Sequence, residues 1–312
     1  MSNSRSVWSA LLITSALLGA PRALLALGCV PVAGGEIECE LPVIEDSIVA
    51  AAHRENNHGG EPHQWVKVGN GINRAFERID LRGIAGRSAD IVSATLRHYI
   101  YKVGDGATST FAIHAANPNW PQPFVEGRDM FQGWGYCSTP EWKTPATEYS
   151  GDPGVTYNCP VDPLPNDGNS NDCPYRWEAG FPFGGGATGF ALTPLPGLTQ
   201  RPPSPPNCGA SLDCVFEDLH DPRDCWDTFE FSITNHIRAE VAAGRDTTDV
   251  MIRRHPESGS GGVWWFSTEG AVCVLGGDPS TAQLQALRPV LIVRLSGGAL
   301  PIVPTPLVDP CN

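Results

Sequence analysis

No segment length recurs along the chain, so the stacked units of a solenoid and the blades of a propeller are excluded. None of the ten cysteines forms a C-x-x-C pair, which removes the spacing that favours zinc and leaves disulfides as the reading. The patterns G-x-S-x-G, H-E-x-x-H and the P-loop are absent as well. A nucleophile elbow, a zinc-protease helix and a phosphate-cradling loop therefore have no sequence support. Charge is scarce at 18% of residues, and basic charge is scarcer, with 21 Lys and Arg against 34 Asp and Glu. A net charge of −13 repels polyphosphate and anionic headgroups at long range, so nucleic acid and bare membrane are excluded as general partners. Acidity of this kind keeps an exported protein soluble. What the chain has in plenty is turn formers, 34 Gly and 29 Pro, in 312 residues that are 41% hydrophobic. That balance describes short strands joined by many turns, in a chain long enough to bury its own core.

The first 28 residues read as an export signal, with Arg5 ahead of an apolar run over 7–20 and a second over 23–27. An uncleaved anchor is the alternative, opposed by Arg22 at mid-span, since Arg costs roughly 2.5–3.5 kcal/mol at a bilayer centre. Removing 1–28 takes away two Arg and no acid, which leaves 19 basic against 34 acidic residues and a mature charge of −15. The run Ala26, Leu27, Gly28, Cys29 resembles a bacterial lipobox, which makes Cys29 a lipidation candidate and a lipid anchor the one route to a membrane. Parity opposes it: ten cysteines allow five disulfides if Cys29 is retained as a thiol, and nine leave one over. The other candidates for pairing are Cys39, Cys137, Cys159, Cys173, Cys208, Cys214, Cys225, Cys273 and Cys311, and disulfides in this number imply a non-reducing exterior, secreted or at the cell surface.

After a linker at 29–42, strand-length pieces rich in β-branched and aromatic residues stand at 43–49, 65–68, 75–81, 91–103 and 111–115. In the fourth, Ala94, Leu96, His98 and Ile100 alternate with Thr95, Arg97, Tyr99 and Tyr101, the period of a sheet with one face inward. From 151 to 224 the composition turns to Pro, Gly, Asn and Cys, which reads as a long disulfide-stapled loop insertion without a core of its own. Strand signals return at 228–233, 250–253, 263–266 and 289–295, and a Pro-rich tail follows at 296–312. One short helix is predicted between the first two of these, with Thr234 as N-cap, Ile237 and Val241 on one face and Gly244 as the stop. The fold class expected is all-β, a jelly-roll-type β-sandwich over 43–295.

Stretches along the chain then resemble a known family, the DNRLRE domain of secreted bacterial and archaeal proteins. Residues 74–84, RAFERIDLRGI, look like the family's RALLRFDLSGI strand, and 91–97, IVSATLR, like the SATLRL strand that follows it. Trp120, Glu126, Gly127, Trp134 and the WKTP of 142–145 resemble its central Trp-rich region. FEFSIT at 229–234, FSTEG at 266–270 and RPVL at 288–291 resemble its last strands, with Ser232 and Thr268 departing from the family's Asp and Arg. The resemblance implies a jelly-roll-like sandwich, classed in part among carbohydrate-binding modules.

Such a module holds sugar on aromatic faces, because the apolar side of a pyranose stacks on Trp and Tyr. The carbohydrate-binding candidates are Trp264, Trp265, Trp120, Trp134, Tyr136 and Trp142. Trp264 and Trp265 are adjacent in a predicted strand, so only one of them can enter the core. A calcium loop is suggested by Asp167, Asn169, Asn171 and Glu178, but Asp172 stands where that loop needs Gly and Pro174 follows closely. No other cofactor is implied. The expected function is non-catalytic binding of an extracellular or cell-surface polysaccharide, a neutral one given the net charge. A structural or adhesive surface protein without a sugar site is the alternative. A polysaccharide lyase is the second alternative, which requires His, Tyr and Arg to converge in a groove, with Arg74, Glu77, Arg78 and His114 as its residues.

Overall fold

The computed structural model describes residues 28–52, 54, 58, 63–69, 71–103, 110–116, 155–157, 159, 192–200, 228–255, 257–268 and 287–297. They form an all-β sandwich with one α-helix. In chain order the elements are β1 (Cys29–Pro31), β2 (Ile37–Ala50), β3 (His63–Val68), β4 (Asn73–Asp80), β5 (Ile91–Val103), β6 (Thr110–Ala116) and β7 (Leu192–Gln200). There follow β8 (Thr228–Ser232), α1 (Thr234–Ala242), β9 (Thr247–His255), β10 (Gly261–Phe266) and β11 (Val290–Leu295). Among the described residues no helix is long and apolar enough to cross a membrane.

Among the described residues every strand pairing is antiparallel. Two long strands serve both layers. The first part of β2 pairs β11 up to Pro42, and from Val43 onward β2 pairs β4. The change falls at a register shift between Val43 and Glu45, where a proline and a bulge let one strand bend from one sheet into the other. In the same way β5 pairs β11 and β8 through its first half and β10 through its end.

The core lies between the layers and follows the alternation of the strands. In β8, Phe229 and Phe231 are buried while Glu230 points outward. Together with Phe111 and Trp265 they form a ring-to-ring cluster, Phe229 meeting Phe231 at 4.7 Å and Phe111 at 5.2 Å between centroids. Each such side chain contributes about 1.5–3 kcal/mol by leaving water. The central strand β4 is buried on both faces along its whole length. Its Ala75 and Ile79 enter the hydrophobic core, and Glu77, alternating with them, shares that side.

The helix carries one correction. Thr234 is its first residue and not its cap: the hydroxyl accepts a 3.0 Å hydrogen bond from the Ala94 backbone N–H, tying the helix start to β5. Ile237 and Val241 are buried as their spacing predicts. The far end closes as a Schellman turn. Gly244, at φ 71°, donates to the Val241 carbonyl and Arg245 to the Glu240 carbonyl, and a positive φ there selects glycine.

Two further expectations are overturned. Residues 29–42 are not a linker: they are β1 and the first half of β2, where Ile37, Cys39 and Leu41 are buried and alternate with Glu38 and Glu40. Charged residues and a cysteine masked that period-two signal. The stretch 192–200, placed in a loop insertion for its prolines, is strand β7, which among the described residues pairs only with β6. An edge position explains it, because proline lacks a ladder donor and an edge strand needs donors on one side alone. Val155, Thr156, Tyr157 and Cys159, from the same stretch, are buried. The rest of the expected insertion, and the tail beyond 297, lie outside the described residues.

Candidate functional site

Strand β10 divides the tandem tryptophans as strand geometry requires. Trp265 is fully buried and belongs to the hydrophobic core, its ring 4.7 Å from that of His98. It is therefore corrected from sugar-binding candidate to core residue. Trp264 points to the opposite face and is half-buried.

On that outer face Trp264 stands directly across from Trp65 of β3, and the next pair along is Gly262 with Lys67. The two pairs make a block of two aromatics, one glycine and one ammonium group. Directly opposed residues in a sheet have Cβ atoms about 4.5–5.5 Å apart, so the two indoles are neighbours. Trp65 is 7% exposed, its ring edge-on to His58 at 6.0 Å, and its indole N–H meets the side chain of Asn73. On the other side of Trp264 the register position in β5 is Lys102, beside a register shift that leaves Tyr101 as the extra residue. A bulge there increases local twist and re-aims the strand next to Trp264.

Gly262 is required by contact. A Cβ at that position would lie 2.5 Å from the Lys67 Cβ and 2.6 Å from the Val66 carbonyl oxygen. The missing side chain lets the Lys67 backbone and Cβ close against β10 at that position. Lys67 itself is half-buried, and burial pushes its ammonium pKa down from the ordinary lysine value. Among the described residues it has no hydrogen-bond or ion-pair partner.

A second polar group sits on the outer side of β4, β9 and β6. Arg74 makes a bidentate pair with Glu257, both contacts 2.7 Å, and its guanidinium lies 5.5 Å from the centroid of Tyr157. Arg253 donates from Nε to Nε2 of His114 at 2.8 Å. That donation places the His114 proton on Nδ1. Burial, reinforced by Arg253, His255 and Arg74, drives the His114 pKa down to about 3. The ring is thus neutral near pH 7.

The arginines do not form an open basic strip. Arg74 is taken by Glu257, Arg78 lies between Asp249 at 2.8 Å and Glu45, Arg82 pairs Asp80 at 2.6 Å and Arg97 pairs Glu230 at 2.6 Å. Glu77 faces the core, away from Arg74 and Arg78, so the three do not share a groove.

Cys29 is bonded to Cys39, its register partner across β1 and β2, with Cα atoms 4.0 Å apart. The sulfur that a thioether-linked lipid needs is already engaged, which corrects the lipidation expectation. Cys159 is disulfide-bonded too, to a cysteine outside the described residues. Trp120, Trp134, Tyr136 and Trp142, the calcium candidates Asp167, Asn169, Asn171 and Glu178, and Cys137, Cys173, Cys208, Cys214, Cys225, Cys273 and Cys311 also lie outside them. Among the described residues no three His, Cys, Asp or Glu side chains are grouped to hold a metal ion.

Sequence reasoning missed Trp65 and Lys67 as partners of Trp264, although both stand two apart in a predicted strand and so had to share a face. It also missed Glu257 and Tyr157, which reach Arg74 from far along the chain and leave no local signal. No protein-family model matches the chain, and no curated protein matches it.

Proposed function

We propose that the protein is an exported, non-catalytic polysaccharide-binding module of the DNRLRE kind, acting outside the cytoplasm without a cofactor. The observation that carries this reading is the Trp264 and Trp65 pair on the outer side of β10 and β3. Trp264, half-buried beside the buried Trp65, offers the apolar plane on which a pyranose stacks, and Lys67 on the same face supplies a polar contact to its substituents. The Cys29 to Cys39 bond supports export, since such cross-links persist in oxidising surroundings. The apolar N-terminal stretch supports it too. Affinity electrophoresis through gels containing single polysaccharides tests the reading. Wild type is retarded in at least one gel and Trp264→Ala runs as in the empty gel; retardation of Trp264→Ala equal to wild type overturns it.

The lyase alternative gains one observation, the approach of Arg74, His114 and Tyr157 on one outer face. It is the weaker reading, because Arg74 is held by Glu257 and the Nε2 of His114 is occupied by Arg253. Release of unsaturated oligosaccharide ends from a polyuronate, lost in His114→Ala, is the result that favours it.

A further inference from the structure

We draw no further inference here: the strongest candidate, the cluster of Arg74, Arg253, His114 and Tyr157 on the outer side of β4, β9 and β6, already meets its counter-charge in the Glu257 carboxylate, at 2.7 Å from Arg74 and 3.8 Å from Arg253, and among the described residues shows no group turned toward a ligand.

Discussion

Trp265 donates its indole N–H to the Glu77 carboxylate at 3.1 Å in the interior of the sandwich, both side chains sealed from solvent. The same carboxylate faces Nε2 of His98 at 2.9 and 3.0 Å, and Nδ1 of that ring lies 3.2 Å from the Phe229 carbonyl. Four strands are thereby pinned through one buried carboxyl group. Burying it is tolerable because each of its neighbours is a hydrogen-bonding partner.

Glu77→Ala removes the acceptor for Trp265 and the partner for His98 at once, and the loss of one member of a buried pair costs about 3–5 kcal/mol. Glu77→Gln costs less, since the amide oxygen accepts from Trp265 and the amide N–H donates to His98. Urea unfolding of the two variants measures the difference, and equal costs contradict the network.

One buried imidazole, His114, and one half-buried, His236, make the fold acid-sensitive. Burial lowers His114 to about 3, with Arg253, His255 and Arg74 adding to the effect, and lowers His236 to about 4. Both rings are neutral in the fold and take up a proton in the unfolded chain below about pH 6.5. The unfolded state then binds more protons, so stability is level above about pH 6.5 and falls as pH drops from there towards about 4. His114→Gln, whose amide oxygen still accepts from Arg253, loses less stability over that interval than wild type. Urea midpoints at about pH 7 and about pH 4.5 provide the check, and an unchanged slope rejects it.

The Cys29 to Cys39 bond spans ten residues of sequence and fastens the edge strand β1 to the sandwich. Opening it by Cys39→Ser lowers stability by about 2–3 kcal/mol, the loop-closure value for a short ring. Peptide mapping of the exported protein without reduction yields one cross-linked fragment holding both cysteines. An acyl group on Cys29 contradicts the bond.

Much of the sandwich was readable from the strands, because alternating burial is written locally. The 91–103 segment and FEF at 229–231 show it in a few residues, and β5 and β8 fall where that pattern puts them. The ends of the fold were not readable for reasons of the same physics. In β1 and β2 the buried positions of the first ten residues include a cysteine and alternate with glutamates, and in β7 two prolines disguise an edge strand. At the candidate site, adjacency in sequence settled that one of Trp264 and Trp265 leaves the core, yet not which one. The choice depends on Gln64, Ile100 and Glu77, the residues that share Trp265's side, and they come from three other strands.

Two neighbouring tryptophans, Trp264 and Trp265, have opposite fates in strand β10. The most direct measurement is the set of indole N–H cross-peaks of the eight tryptophans beyond residue 28, followed in a proton–nitrogen correlation spectrum as oligosaccharide is added. The resonance of Trp264 moves to saturation while that of Trp265, held on Glu77, stays in place. A saturating ligand that leaves Trp264 unmoved, or no ligand that moves it at all, contradicts the glycan platform.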